Sequence, residues 1–252
     1  MSKYSDRFTS RVESYAKYRP GYPAELIEVL RSECGLTSDA VVADIGSGTG
    51  ILSELLLKNG NEVLGVEPND AMRNAGTELL RAYPKFRSVA APAEATTLTS
   101  ASVDLITVGQ AFHWFDASAV RTEFVRVLKP KGFVALIWND RRLDSTPFLK
   151  AYELLLKEFG TDYAKVQQFD YTNDVANFFA PKTFKHRDFA NRQEFDFNGL
   201  KGRVLSTSYT PELGHVQHEP MMKELEKLFI SHQQEGMVAF EYDTKVFYGQ
   251  LV

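Results

Sequence analysis

The chain carries a single cysteine, Cys34, in 252 residues. Neither an intramolecular disulfide framework nor a Cys-pair metal site can therefore form within it. Cys34 itself reads as a thiol near a helix end. Basic charge is also scarce: 29 Lys and Arg against 33 Asp and Glu leave a formal net charge of -4. That balance supplies no field for wrapping a phosphate backbone, so nucleic acid is not the expected partner and a small-molecule acceptor fits better. No run of about 18 apolar residues occurs, so no transmembrane helix or membrane partner is expected. The polar start Met1–Arg7 lacks the apolar core of a signal peptide. The expectation is a cytoplasmic protein, monomer or homodimer. No proline- or glycine-rich linker, internal repeat or low-complexity tract divides the sequence, so residues 1–252 read as one domain.

What is present is ordinary globular composition, 44% apolar and 25% charged. Residues 1–23 are aromatic and basic, with Phe8, Tyr15, Tyr18, Arg19 and Tyr22, and read as a flap ahead of a helix over 24–33. From Val41 to Trp138 strand and helix signals alternate at βαβ spacing, which predicts a parallel sheet with right-handed crossovers. The expected strands are 41–45, 62–67, 86–90, 103–109 and 133–138. Helix 51–58 stops at Asn59-Gly60, Asp70 is placed to cap a helix with Met72, Ala75 and Leu79 on its apolar face, and Ser118 opens another with Val120, Phe124, Val127 and Leu128. Lys129-Pro130-Lys131-Gly132 reads as the turn back into the sheet. Residues 24–159 form the expected cofactor-binding core, with later strands at 184–197 and 238–248. The segment 198–236 is too long for a structureless loop and reads as a cap.

The most informative stretch is Val42-Ala43-Asp44-Ile45-Gly46-Ser47-Gly48-Thr49-Gly50, a buried strand entering a glycine turn before a helix. Such a turn docks a nucleotide-like cofactor. A dinucleotide fingerprint needs a small residue where Ile51 stands, because helix and strand pack closely there. This argues against a nicotinamide-dependent oxidoreductase. Glu67 closes the second expected strand about twenty residues after the first glycine, where a carboxylate can accept from both hydroxyls of an unphosphorylated ribose.

Asp44-Ile45-Gly46-Ser47-Gly48-Thr49-Gly50 resembles motif I of the class I S-adenosylmethionine-dependent methyltransferases. Phe112-His113-Trp114-Phe115 after the fourth strand resembles the small-molecule branch that includes trans-aconitate methyltransferase-like proteins. So do Tyr18-Arg19-Pro20-Gly21-Tyr22-Pro23 and the segment Arg203 to Pro211. The resemblance implies an α/β, Rossmann-like, seven-stranded and mostly parallel sheet with helices on both faces, an antiparallel last strand, and a helical cap from the N-terminal segment and an insertion before that strand. It implies S-adenosyl-L-methionine as cofactor and methyl transfer to a small molecule, a carboxylate among the candidates. On this reading Asp44, Gly46, Ser47, Gly48 and Gly50 hold the cofactor's amino-acid tail and Glu67 its ribose. Pro68, Met72, Ala93 and Glu94 flank its adenosine, Gln110 faces the methyl, and Tyr18 and Arg19 close over it. Met72 alone could equally be core, and Glu94 a solvated loop carboxylate. A cofactor-binding protein without transfer activity is the alternative reading.

Aromatic faces attract a cation such as a sulfonium and exclude competing water. Phe112 is accordingly a candidate for the substrate side, and His113 and Trp114 for the catalytic centre. His113 is either a general base or a histidine packed on Trp114. Arg19, Arg141, Arg142 and Arg203 could grip an anionic acceptor in bidentate fashion, with Tyr209 beside it. His215 and His218 lack a third ligand set, so no metal is expected.

Overall fold

The computed structural model describes residues 12–161, 163 and 171–252. Phe8 and Met1–Arg7 lie outside the described residues. In chain order the elements are α1 (Val12–Tyr18), α2 (Glu25–Cys34), β1 (Val41–Ile45), α3 (Ile51–Lys58), β2 (Glu62–Val66), α4 (Asp70–Leu79), β3 (Phe86–Val89), β4 (Val103–Gly109), α5 (Ala117–Val127) and β5 (Leu128–Arg141). There follow α6 (Pro147–Phe159), α7 (Tyr171–Phe179), β6 (Phe184–Phe195), α8 (Phe197–Leu205), α9 (His218–His232) and β7 (Val238–Gly249), with short 3-10 turns at Ala93–Ala95 and Phe112–Trp114.

The strands form one seven-stranded sheet in the order β3-β2-β1-β4-β5-β7-β6. β1 to β5 run parallel, and β7 runs antiparallel to both β5 and β6. The expected Rossmann-like sheet with its antiparallel last strand is thus present. Because successive side chains of a strand point to opposite faces, β1 feeds two cores. Val42 packs with Leu26, Leu30, Leu52 and Leu56 of α2 and α3, while Ala43 and Ile45 pack on the face covered by Phe124 of α5 and Phe178 of α7. Strand order reverses between β1 and β4, and the carboxyl ends of these strands open the crevice where ligands of such sheets bind.

Several boundaries differ from the sequence reading: α5 opens at Ala117 under an Asp116 cap and ends at Val127, so Leu128 falls in β5. Helix α4 is capped by Asn69, not Asp70: the Asn69 Oδ1 accepts from the Met72 amide at 3.0 Å. That cap fixes the helix so that Leu79 is 55% exposed and Leu80, at 3%, takes its place in the core. β5 begins at Leu128 instead of after a turn, because a register shift opposite Val103 and Leu105, with Lys131 at φ 67°, absorbs the Pro-Lys-Gly segment as an irregularity within the strand. At its other end β5 continues to Arg141 because the ladder to β7 extends through Asn139↔Thr244 to Arg141↔Tyr242.

That extension matters for function. β5, β7 and β6 rise past the carboxyl ends of the parallel strands and meet a third apolar core, in which Leu149, Tyr152 and Leu156 of α6 pack with Leu200 and Val204 of α8, Met221 and Leu225 of α9, and Phe240 and Tyr242 of β7. Burial of each such aliphatic side chain contributes about 1.5 to 3 kcal/mol. Helix α6, grouped by sequence with the cofactor-binding core, therefore packs as part of the cap. Helix α1 lies against α4 and α8, spanning from the glycine-turn side of the sheet to the cap.

Candidate active site

Between the glycine turn, the end of β5, the segment after α1 and the cap lies a cavity of about 660 Å³, within the size range of small-molecule sites. Its floor is the turn after β1. Gly46, Gly48 and Gly50 all have positive φ, at 71°, 56° and 87°, which L side chains adopt at a cost. At Gly46 packing adds a second constraint: a Cβ there would stand 2.6 Å from the Ala111 Cβ. The Gly46 and Ser47 amides donate to the Val66 carbonyl at 2.8 and 3.1 Å, which anchors the turn to β2.

Asp44, 1% exposed, is held from behind by two hydroxyls: Ser53 Oγ donates at 2.6 Å and Thr107 Oγ1 at 3.1 Å. Burial pushes its carboxyl up to about 6, with the two hydroxyl bonds pulling the other way. Glu67 folds back over the turn, accepting from the Gly48 amide at 3.0 Å and the Asn69 amide at 2.8 Å. Burial raises its pKa against those two amide bonds. A carboxylate has about four lone-pair sites, so two remain for hydroxyl donors of a ligand.

Thr49 carries the observation that bears most on a cofactor. Its Oγ1 is buried at the cavity wall without a hydrogen-bond partner, and an unpaired buried hydroxyl is costly unless a ligand satisfies it. A Cβ on Gly48 would meet nothing nearer than the Met72 Cε at 3.7 Å. This turn offers open backbone, free hydroxyl and carboxylate capacity together, and so fits the polar tail and ribose of S-adenosylmethionine.

Opposite the floor stands a different chemistry. Arg141 reaches Glu153 and the Tyr163 hydroxyl, both at 2.7 Å, and lies over the Tyr152 ring. Arg203 is 5% exposed, donates to Tyr242 Oη at 3.3 Å and lies over Phe240. Arg19 donates to the Ser206 carbonyl at 3.0 Å and stacks on Tyr15. Burial first and the Arg203 charge second lower its pKa. Each of the three guanidiniums has a buried N–H without a partner among the described residues: Arg19 Nε, Arg141 Nη1 and Arg203 Nη1. Glu153 is engaged by Arg141 and by Lys157 at 3.4 Å. Among the described residues neither Arg19 nor Arg203 has a carboxylate partner.

Of the residues singled out by sequence, Arg19, Asp44, Gly46, Ser47, Gly48, Gln110, Arg141, Arg203 and Tyr209 line this cavity. Gly50, Glu67, Pro68 and Met72 are not among its lining, though Glu67 reaches the turn through the Gly48 amide and Met72 is the residue nearest a Cβ on Gly48. Tyr18 faces the cap, edge-on to Phe195. Glu94, expected at an adenine edge, accepts from the Asp116 amide at 3.1 Å and so braces the start of α5, with buried Ala93 beside it. Arg142 is taken up by Asp243 at 2.7 Å on the rim strand β7.

The aromatic run after β4 is placed differently from the expectation. Phe112 is 3% exposed and packs on Phe178 at 5.0 Å and Trp138 at 6.2 Å, which makes it core rather than a substrate wall. The His113 ring lies tilted against Trp114 with centroids 4.6 Å apart, burial lowers its pKa to about 4, and neither ring lines the cavity. Tyr15 and Tyr22, named by sequence only as part of the flap, line the cavity, and the residues missed by sequence reading are Thr49, Asn139, Asp140, Lys157, Tyr163 and Tyr242. Thr49 stood inside the glycine motif, and its hydroxyl was the available signal. The others come together only through the β5–β7 extension and the cap.

The profile of a methyltransferase domain family matches residues 43–136, the segment from β1 through β5. An uncharacterized methyltransferase of Schizosaccharomyces pombe is 28% identical over 88% of this chain and 86% of its own length. An uncharacterized methyltransferase of Mycobacterium tuberculosis is 37% identical over 53% of this chain, and the match spans about half, 52%, of that protein. Among solved structures, a putative type II methyltransferase from Anaeromyxobacter dehalogenans shares the fold with a TM-score of 0.66 at 20% identity, covering 93% of this chain and 99% of that one. Solved structures with this fold also hold S-adenosylmethionine or S-adenosylhomocysteine.

Proposed function

We propose that this chain, a class I S-adenosylmethionine-dependent methyltransferase, moves the methyl group to a carboxylate oxygen of a small organic acid. The observation that carries the reading is the pair Arg19 and Arg203, two guanidiniums at the cavity wall with buried N–H groups and charges that have no acceptor or carboxylate partner among the described residues. Buried cations without partners are costly, and an anionic ligand supplies the missing charge and acceptors.

The roles follow from placement. Asp44, Ser47, Gly48 and Thr49 would hold the cofactor's tail, and Glu67 its ribose. When bound, S-adenosylmethionine supplies a methyl group on a cationic sulfur, ready for attack by a nucleophile in line with the sulfur–carbon bond. Arg203 and Arg141 anchor the acid from the cap, and Arg19 stands on the segment that joins the two halves. Two donors occupy two of a carboxylate's lone-pair sites and leave others free to meet the methyl.

A carboxylate is ionised at neutral pH and needs no proton removed, which suits what lines the cavity. Asp44 is held by its two hydroxyls, Asp140 pairs with Lys245 at 3.0 Å, and burial pushes the Tyr22 and Tyr163 phenols up and keeps them protonated. Alignment and exclusion of water are then the means of acceleration. The small-molecule branch resembling trans-aconitate methyltransferase-like proteins agrees with this acceptor class.

The test is the nature of the product. The protein is incubated with methyl-labelled S-adenosylmethionine and a panel of small mono- and dicarboxylic acids, phenols and amines. An acid acceptor whose label leaves as methanol under mild alkali is the expected result. A label stable to alkali, on nitrogen, carbon or a phenol, would overturn the carboxylate assignment.

A further inference from the structure

Asn139 makes more connections than a lining residue needs. Its side-chain Nδ2 donates to the Gly21 carbonyl at 3.1 Å, and its Oδ1 accepts from Asn191 Nδ2 at 3.2 Å and from the Thr244 hydroxyl. Its backbone carbonyl accepts from Gln110 Nε2 at 3.1 Å. Asn191 also donates to the Gly21 carbonyl, at 2.8 Å. One carbonyl of the segment after α1 is thus gripped by two primary amides from β5 and β6. On the same face of β6, two residues on, Gln193 Nε2 donates to the Arg19 carbonyl at 3.2 Å.

We propose that Asn139 and Asn191 form a clasp that seats residues 18–22 as one wall of the cavity, and that Asn139 is thereby a positioning residue for cofactor binding. The seated segment carries Arg19, Pro20 and Tyr22 into the cavity, facing Asp44 and the glycine turn. On the other side the same residue holds Gln110, whose φ of 57° is one that a non-glycine residue keeps only when its surroundings impose it. Seating of the segment and placement of the loop after β4 therefore share one hub. An amide is the group this hub requires: it must donate to a carbonyl and accept from a hydroxyl and an amide at once. A carboxylate of the same shape keeps the two acceptor contacts, loses the donor, and repels the Gly21 carbonyl.

The effect on the cofactor rests on the methyltransferase reading; the clasp itself does not. Asn139→Asp and Asn191→Asp are compared with the wild type in the full chain by hydrogen exchange and by calorimetry with S-adenosylhomocysteine. Each variant should exchange about fivefold faster across residues 15–23 while α3 is unchanged, and bind the ligand about fivefold more weakly, the scale of one lost hydrogen bond. The double variant should exceed either single one, because it removes both donors from the same carbonyl and sets two carboxylates side by side. Unchanged exchange across 15–23 overturns the clasp, and faster exchange there with unchanged affinity overturns the positioning role. A parallel rise in exchange across α3 overturns it too, by showing general destabilisation. If the wild type itself fails to bind the ligand, the cofactor effect is overturned along with the methyltransferase reading, while exchange still judges the clasp.

Discussion

The two walls of the cavity are built on opposite principles. The cofactor wall, from β1, β2 and the glycine turn, uses short local connections and backbone amides, and its charged groups already have protein partners: Asp44 its two hydroxyls, Glu67 its two amides. The acceptor wall, from the extended β5 and β7, the cap and the segment after α1, uses long side chains and leaves guanidinium N–H groups unpartnered. Both walls keep polar capacity for a ligand, the Thr49 hydroxyl at the turn and guanidinium N–H groups opposite, but only the acceptor wall holds charges, Arg19 and Arg203, without a carboxylate partner among the described residues. The cofactor wall should therefore fail when its backbone is disturbed. The acceptor wall should fail when its charge is removed, without loss of the fold.

The largest expected effect is on the cofactor wall. Gly46→Ala places a Cβ at φ 71° and 2.6 Å from Ala111, and S-adenosylmethionine affinity should fall by about 100-fold or more, given roughly 1–2 kcal/mol for the backbone and 1–3 for the overlap. Calorimetry reads it, and a loss under threefold would show that the turn yields.

Next comes a pH dependence on the same wall. Burial raises the Asp44 carboxyl to about 6, so below that pH it is protonated and loses its attraction for a cationic cofactor. Affinity should be flat above about pH 7 and fall by up to about tenfold per unit below 6. Asp44→Asn should bind weakly at every pH and show no such slope. A slope that persists in the variant belongs to another group.

On the acceptor wall the sign reverses. Arg203→Met removes a buried charge that has no carboxylate partner among the described residues and leaves an apolar chain over Phe240. The thermal midpoint should hold or rise by a few degrees, on the order of 1 kcal/mol. A fall of ten degrees would mean that Arg203 is a structural cation, and the contrast between the walls would fail. Smallest of all is His113→Gln. His113 packs against Trp114 outside the cavity lining, so kcat should change by less than about threefold, and a collapse of kcat would restore it as the base.

This contrast also explains what could be read from the chain. The cofactor wall lies within about thirty residues, Asp44 to Met72, so its strand, turn and acidic residue appear as a local pattern. The sheet was legible for the same reason, since periodicity within each βα unit set its strands. Phe112 was not, because its burial depends on Phe178, which arrives in α7 long after it. Nor were Tyr163, Asn139 and Tyr242, whose meeting depends on the register of β5 on β7 and on the seating of α6 in the cap core. Arginine identity hinted at an anion site, but only folding separates Arg142, neutralised by Asp243, from Arg203, which has no such partner among the described residues.

The division between the walls is tested most directly by measuring two constants on one variant. In Arg203→Met, the dissociation constant for S-adenosylmethionine should stay within about twofold of wild type while KM for the acid acceptor rises about 100-fold, the scale of truncating one partner of a buried charged contact. A variant in which both constants move together, or in which acceptor KM is unchanged, would contradict the account.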